Sequence, residues 1–230
     1  MPAWSAANRC WANEAAAVMD DFLPIVLRSL AVSLTATACA TALGLPLAAA
    51  LALGRWPGRT MVMVVVHSLL GLPPVVVGLV LYLLLSRAGP LGGLGWLYTP
   101  EAMVMAQAVL ATPIIAALAH RAIEGQWREY GRALQASGAS PLRALPHLLR
   151  MARGGIATAL LAGFGRTVSE VGAVLIVGGN IAGVTRTMTT TITLETGKGN
   201  FDLALALGLV LVGISITASA VVLVVGGERR

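Results

Sequence analysis

Long apolar runs are the feature that most constrains this chain of 230 residues. A helix needs about 20 mostly apolar residues to cross a bilayer, and five stretches reach or approach that length. The runs are continuous rather than alternating, which disfavours a transmembrane β-barrel. The sequence therefore predicts an all-α, polytopic helical membrane bundle that forms a single domain over residues 1–230. The five predicted spans are Phe22–Leu53, Met61–Leu85, Ala102–Ala119, Gly154–Val177 and Leu203–Val225.

Composition supports this prediction and excludes several other classes of protein. Hydrophobic residues make up 57% of the chain and charged residues 11%, whereas soluble domains carry about 25% charged residues. The formal net charge of +6 is spread in small groups between the runs, so no basic face for nucleic acid is expected. Two cysteines do not define a disulfide framework. No metal site is expected either, because His67, His120 and His147 are far apart in the sequence.

The distribution of Arg and Lys predicts how the chain crosses the membrane. Ten basic residues flank the runs on one side and five on the other, with Arg166 inside a run. By the positive-inside rule, residues 120–153 and the C-terminus are expected in the cytoplasm, and residues 1–21 and 178–200 outside. Acidic residues precede the first run, where a signal peptide would carry positive charge, so we expect an uncleaved first span.

Adjacent prolines, Pro73 and Pro74, lie in the middle of the second run. Each removes a backbone donor, so a helix kink is expected, either as a bend that fits its neighbours or as part of a moving gate. A kink inside a membrane requires neighbouring helices or water to satisfy the freed carbonyls. This span is therefore expected to be buried in the bundle.

The connection over residues 120–153 contains a local helix pattern. Arg132–Ser137 favours a helix, Gly138 suits a turn with positive φ, and Ser140-Pro141 fits an N-cap followed by proline at the first helical position. The prediction is a short helix, a glycine turn and a second short helix at the membrane surface; the alternative is a generic basic loop. The sequence has no GxxxxGK[ST] phosphate loop, so ATP-driven transport would need a nucleotide site on another chain.

The same connection resembles the signature cytoplasmic loop of ABC importer permeases, through Gly138-Ala139-Ser140 and the amphipathic basic stretch that follows. In that family the loop forms a coupling helix that docks on an ATPase subunit. The family's Glu-Ala-Ala triplet reads Arg132-Ala133-Leu134 here, and its later Leu-Pro reads Arg150-Met151. By this resemblance the residues expected to contact the ATPase are Ala133, Leu134, Gly138, Ala139, Ser140, Pro141 and Leu142.

A second segment, Ala162–Met188, is similar to permeases of the molybdate, tungstate and sulfate group. Ser-Glu-Val-Gly-Ala at 169–173 and Gly-Gly-Asn-Ile at 178–181 are most like the tungstate permeases. The resemblance implies an oxyanion importer in the inner membrane, for tungstate or alternatively molybdate or sulfate. It further implies a homodimer with the path at its two-fold axis, an ATPase subunit, an external oxyanion-binding protein, and no cofactor or catalysis by this chain.

Two groups of polar residues are candidates for the translocation path or gate. Arg166 and Glu170 would share one face of a continuous helix, either as a structural ion pair or with the cation exposed to a passing dianion. Residues 178–200 are rich in glycine and threonine; their hydroxyls and amides could ligate an oxyanion, or they form a short packed gate helix. The candidates are Arg166, Glu170, Asn180, Thr185, Arg186, Thr187 and Thr189.

Two other functions remain open from the residues alone. An ion-coupled secondary transporter would need inverted repeats and polar groups at mid-membrane, but five runs do not divide into two equal halves. An intramembrane enzyme would need a nucleophile and a base, or a metal pair, but Ser169-Glu170 has no histidine nearby in the sequence. Both are less well supported than an importer permease.

Overall fold

The computed structural model describes residues 22–226, and these contain α-helices and no β-strand, which confirms the all-α prediction. Short 3-10 turns occupy Leu69–Gly71 and Gly92–Leu94. The predicted external segment 1–21 and the C-terminal Arg229 and Arg230 lie outside the described residues. The helices are α1 Phe22–Leu53, α2 Arg59–Ser68, α3 Pro74–Leu85, α4 Pro100–Ala136, α5 Pro141–Met151, α6 Arg153–Val168, α7 Gly172–Gly178, α8 Met188–Lys198 and α9 Phe201–Gly226.

Five segments of the described residues correspond to the five predicted spans. Helices α1, α4 and α9 are each long and apolar enough to cross a membrane alone. The other two segments are bent pairs: α2 with α3, at an angle of 102°, and α6 with α7, at 54°. The sequence thus located all five apolar segments, and the predicted end of the first span at Leu53 is the end of α1.

Helix α4 is the centre of the bundle. Of the 18 residues in its most apolar stretch, 67% are buried, against 39% in the corresponding stretch of α1 and 6% in that of α9. At the crossing of α1 and α4, a Cβ added to Gly44 would lie 3.1 Å from the Thr112 carbonyl oxygen and 3.2 Å from the Ala116 nitrogen. Glycine therefore lets the two backbones approach, as is common where helices associate in lipid through close packing.

The predicted third span, Ala102–Ala119, is too short. Helix α4 has 37 residues, about 55 Å at 1.5 Å per residue, and so extends past a bilayer core of about 30 Å. The predicted short helix over Arg132–Ser137 is the end of α4 and not a separate element. Hydropathy marks where the apolar run ends, but the helix continues with polar residues such as Glu124 and Arg128.

The second span is broken at Leu72–Pro73, and Pro74 begins α3. The angle of 102° is far sharper than a kink. The two halves have different partners: α2 packs beside α1 and the middle of α4, whereas α3 packs on α7, with Gly78 against Ala173. The expectation that this span is buried is wrong for the single chain, since Pro73 is exposed and Pro74 half-buried.

The bundle has two ends, named here after their short helices. At the α5 end, the buried side of α5 packs on the last turns of α1, on α4 and on the start of α6. At the α8 end, Met188 of α8 packs with Ile25 of α1 and with Leu203 and Leu207 of α9. The connections around Arg59 and Gly138 lie at the α5 end, and the predicted path residues of 180–189 lie toward the α8 end.

Candidate functional site

The start of α5 has the turn and the cap that the sequence predicted. Gly138 has φ +83°, and its amide donates to the Gln135 carbonyl at 2.9 Å, which closes α4. Ser140 is the N-cap: its Oγ accepts a hydrogen bond from the Arg143 amide at 3.4 Å, and Pro141 is the first helical residue. These local expectations are confirmed.

Helix α5 has one face in the bundle and one outside it. Ala144 and Leu148 are buried, whereas Leu142 is 80% exposed. A leucine among basic residues on an exposed helix face is suited to contact with another protein. The other exposed residues of α5 are Arg143, Pro146, His147, Arg150 and Met151.

The seven predicted ATPase-contacting residues gather at the junction of α4 and α5. None of them belongs to the buried core, so all are accessible to a partner at this end. Ala133, Gly138, Ser140 and Leu142 are exposed, and Leu134, Ala139 and Pro141 are half-buried.

Arg166 and Glu170 form an ion pair, but not on one continuous helix. Helix α6 ends at Val168 and α7 begins at Gly172, so Glu170 lies in the break between them. Arg166 Nη2 lies 3.2 Å from Glu170 Oε2, with the Arg166 side chain 32% exposed and Glu170 3% exposed. The predicted span Gly154–Val177 is therefore two helices, and the carboxylate is the buried partner.

Glu170 also joins the break to neighbouring elements. Its Oε1 accepts from the Ala173 amide at 3.1 Å, which caps the first turn of α7. Its carbonyl oxygen accepts from Thr189 Oγ1 at 2.9 Å, which connects the break to α8. The interruption of the helix thus has partners for its polar groups, and these partners come from α6, α7 and α8.

A groove lined partly by hydroxyls lies beside the break, along α9. It has a volume of about 590 Å³. Ser215 and Ser219 lie one turn apart in a helix that is otherwise strongly apolar, a spacing in the sequence that the prediction missed. Each serine of the groove donates to a carbonyl of its own chain one turn back, at 2.7 to 3.0 Å, and can rotate toward a ligand. The lining residues are Ser169, Leu211, Val212, Ser215, Ile216, Ser219 and Ala220.

The segment between α7 and α8 is held by two consecutive residues of α1. Arg28 donates through Nη2 to the Gly183 carbonyl at 2.7 Å and through Nη1 to the Arg186 carbonyl at 3.2 Å. Ser29 Oγ accepts from the Met188 amide at 2.7 Å. The sequence prediction missed both residues as parts of the site, although a cation within an apolar run is itself a functional signal.

The predicted path residues of this segment have different surroundings. Thr185 is buried, and its hydroxyl donates to the Gly178 carbonyl and accepts from the Ile181 amide, so it shapes the turn. Asn180 has φ +51°. Over residues 22–226, Asn180 Oδ1 and Arg186 Nε are buried atoms without a hydrogen-bond partner, which leaves both with unused polar capacity.

Residues 188–198 form α8, so the predicted external loop over 178–200 contains a helix. Thr187 is its N-cap, with a reciprocal hydrogen bond between Thr187 and Thr190. Thr191 Oγ1 and Thr193 Oγ1 donate to carbonyls one turn back, at 2.7 and 3.0 Å. The hydroxyls therefore have partners within a packed short helix, as the alternative interpretation of this segment expected.

Glu195 is a further buried carboxylate at the end of α8. It is 3% exposed and lies 3.2 Å from Lys198 Nζ, and Asn200 Nδ2 donates to it at 3.0 Å. The sequence prediction passed over Glu195, although Lys198 follows it at helical spacing. In the described part of the chain, no three His, Cys, Asp or Glu residues are placed to hold a metal ion.

The chain matches known proteins over most of its length. Residues 40–227 match the family model of the binding-protein-dependent transport system inner membrane component. A probable anion ABC transporter permease protein of Haloferax volcanii is 43% identical over 166 residues, 70% of this chain and 72% of the relative. A tungstate uptake system permease protein of Peptoclostridium acidaminophilum is 39% identical over 165 residues, 72% of each chain. A molybdenum transport system permease protein of Escherichia coli is 31% identical over 171 residues, 71% of this chain and 75% of the relative.

The family match includes all the site residues that the sequence predicted. It begins within α1 and continues through the α5 surface, the break between α6 and α7, and α8. The similarity and the helical membrane architecture agree with the resemblance that Gly138-Ala139-Ser140 and Ala162–Met188 suggested. The chain belongs to the family of binding-protein-dependent transport system inner membrane components.

Proposed function

We propose that this chain is the permease of an ATP-driven importer for an oxyanion, with tungstate as the substrate. The observation that carries the proposal is its similarity, over about 70% of its length, to relatives named for anion and tungstate transport. The tungstate relative is 39% identical and the molybdenum relative 31% identical, which favours tungstate. Molybdate is the second candidate, because tungstate and molybdate present the same dianionic oxygen surface; sulfate is the third.

The path for the anion runs past the break between α6 and α7. Arg166 supplies a guanidinium at membrane depth, where a cation attracts a dianion more strongly than in water. The Glu170 carboxylate holds that guanidinium in place from its buried side. The hydroxyls of Ser169, Ser215 and Ser219 offer rotatable donors next to it. The gate on the α8 side includes Asn180, Thr185, Arg186, Thr187 and Thr189.

The working unit is a homodimer whose path lies at the two-fold axis. The groove of Ser169, Ser215 and Ser219 is open in one chain, and a second copy related by two-fold symmetry would close it. The low burial of α9, 6% over its apolar window, agrees with an element that has unused surface for a partner or lipid.

The α5 end binds a separate ATPase subunit in the cytoplasm. Leu142 is the apolar anchor of the exposed α5 face, and the basic residues around it favour an acidic rim on the partner. ATP hydrolysis occurs on that subunit and not on this chain. An external binding protein delivers the oxyanion at the α8 end, and the protein spans the inner membrane several times.

The test is uptake into proteoliposomes that contain this chain and the ATPase that co-purifies with it, supplied with the external binding protein. We expect ATP-dependent accumulation of tungstate, weaker competition by molybdate and the weakest by sulfate. Stronger competition by molybdate than by unlabelled tungstate would assign molybdate instead. Accumulation that follows an ion gradient without ATP would contradict an ATP-driven importer.

A further inference from the structure

Arg59 joins three helices at the α5 end. Its Nη2 lies 3.0 Å from Glu124 Oε1 of α4, and its Nε donates to the Leu51 carbonyl of α1 at 2.6 Å. Arg59 is also the first residue of α2. A single guanidinium therefore connects the end of α1, the start of α2 and the side of α4.

The chemistry of this contact depends on arginine. The last carbonyls of a helix such as α1 have no hydrogen-bond partner within the helix. A cation near that end also interacts favourably with the helix dipole. The planar guanidinium can donate to the Leu51 carbonyl and to the Glu124 carboxylate at the same time. Lysine presents its donors from one nitrogen atom, so it lacks the separate guanidinium nitrogens that contact the two acceptors here.

We call the contacts of Arg59 with Leu51 and Glu124 the brace. The brace lies next to α5, the helix proposed to bind the ATPase. Ala144 and Leu148 on the buried side of α5 pack in one cluster with Ala52 of α1 and Ile123 of α4. Ala52 follows the carbonyl that Arg59 binds, and Ile123 precedes the carboxylate that Arg59 binds. The contact thus fixes α1 and α4 relative to each other at the place where α5 rests.

We propose that Arg59 and Glu124 are positioning residues that brace the seat of α5, so that movement of the ATPase shifts α1 and α4 instead of tilting α5. This inference rests on the proposed function, because it requires α5 to bind the ATPase. Neither residue contacts the proposed ion path; their effect acts through α5. Loss of the brace uncouples ATP hydrolysis from transport.

Arg128 is a matched control for the brace. Its Nη2 lies 3.4 Å from the same Glu124 oxygen, one helical turn away, but its side chain is 76% exposed, against 28% for Arg59. Exposed ion pairs on a helix contribute little to the stability of the fold. Arg128 also contacts no other helix through this pair. His120 Nε2 lies 3.9 Å from the other Glu124 oxygen, on the buried side of α4.

The experiment measures anion transported per ATP hydrolysed in proteoliposomes with the co-purifying ATPase and the external binding protein. We expect Glu124→Gln and Arg59→Gln to lower this ratio by at least about fivefold, the lower range of coupling between sites. Arg128→Gln should leave it unchanged. The double variant Arg59→Gln with Glu124→Gln should equal either single variant, because the two side chains act as one unit.

A purely structural role would reduce the amount of folded protein, and uptake and hydrolysis would then fall together with the ratio unchanged. Arg59→Lys covers the case in which Arg59→Gln does not fold, and we expect it to give an intermediate ratio. A normal ratio for the double variant Arg59→Gln with Glu124→Gln would overturn the brace alone. Absence of ATP-driven uptake by the unmodified chain would overturn the proposed function, and the brace with it.

Discussion

The Arg166–Glu170 pair is the residue-scale question on which the path depends. Its two partners are unequal: Glu170 is 3% exposed and also caps α7, whereas Arg166 is 32% exposed. Removing Arg166 alone therefore leaves a buried carboxylate without its counter-charge. A loss of transport by that variant would not distinguish a damaged fold from a missing cation in the path.

A neutralised pair makes the distinction. We expect Arg166→Gln to lower the free energy of unfolding by about 1–3 kcal/mol, since a buried charge loses its partner. Adding Glu170→Gln should recover most of that loss, because a glutamine oxygen can still accept from the Ala173 amide. If Arg166 attracts the anion, uptake by the double variant stays reduced about tenfold, equivalent to about 1.4 kcal/mol. Thermal unfolding in detergent and uptake measure the two effects separately.

Recovery of both stability and uptake in that double variant would assign the pair a structural role only. The path would then pass other polar groups, and the serines of the α9 groove would be the next to replace. Unchanged uptake by Arg166→Gln at normal membrane levels would exclude a path-lining role directly.

At the scale of elements, the junction of α4 and α5 is determined by one backbone conformation. Gly138 has φ +83°, and no atom lies within 4 Å of the position that a Cβ would take. Space is thus available for a side chain, and the constraint is the left-handed backbone itself. Asparagine adopts that conformation readily, whereas β-branched residues seldom do.

We expect Gly138→Val to lose most of the co-purifying ATPase and Gly138→Asn to keep it. Valine in a left-handed conformation costs about 1–2 kcal/mol or more, and relaxing the turn would redirect α5 and its exposed Leu142. Gly125→Val is the control, because Gly125 is an open glycine within helical α4. The ratio of ATPase to permease after purification is the measurement. Equal retention by the valine and asparagine variants would show that the turn does not set the docking geometry.

The elements that the sequence predicted well are those that local chemistry determines. The start of α5 follows from Ser140, Pro141 and Gly138 with no information from elsewhere in the chain. The apolar segments follow from hydropathy, because the membrane restricts where polar backbone can lie. Even so, the end of α4 was placed 17 residues too early, since hydropathy reports the membrane and not the helix.

The elements that the sequence did not reveal depend on distant partners. The break after Val168 has no proline to mark it; it is stabilised by Thr189, which lies 19 residues beyond Glu170. The hydrogen bond from Arg28 to the Gly183 carbonyl joins residues that are 155 positions apart in the sequence. The serines of α9 form a polar groove only together with Ser169, and it is the fold that brings the three residues together. The 102° angle at Pro73 likewise depends on which helices receive α2 and α3, and not on the prolines alone.

At the scale of the whole molecule, the fold sorts the basic residues to its two ends. Among the described residues, eight Arg lie at the α5 end, and three Arg and one Lys lie at the α8 end. The side chains of Arg28 and Lys198 have partners within the chain, and the backbone carbonyl of Arg186 accepts a hydrogen bond from Arg28. The larger and more exposed group is therefore the one around α5, which favours a cytoplasmic location for that end.

Cysteine labelling tests this orientation. Cys39 is exposed, so it and Cys10 are first replaced by alanine. Leu94→Cys then reports the connection between α3 and α4, Leu142→Cys reports α5, and Leu209→Cys is a control that is exposed on the chain but lies within the apolar part of α9. A membrane-impermeant maleimide is added to intact cells and, separately, to permeabilised cells.

We expect Leu94→Cys to react in intact cells, Leu142→Cys to react only after permeabilisation, and Leu209→Cys to react in neither, because lipid or a second chain covers it. The physical reason is the charge difference between the ends: moving the larger basic group outward would oppose the rule that retains Arg in the cytoplasm. Reaction of Leu142→Cys in intact cells would reverse the orientation and remove α5 from any cytoplasmic ATPase. Reaction of Leu94→Cys and Leu142→Cys from the same side would show that α4, the long helix between them, does not cross the membrane.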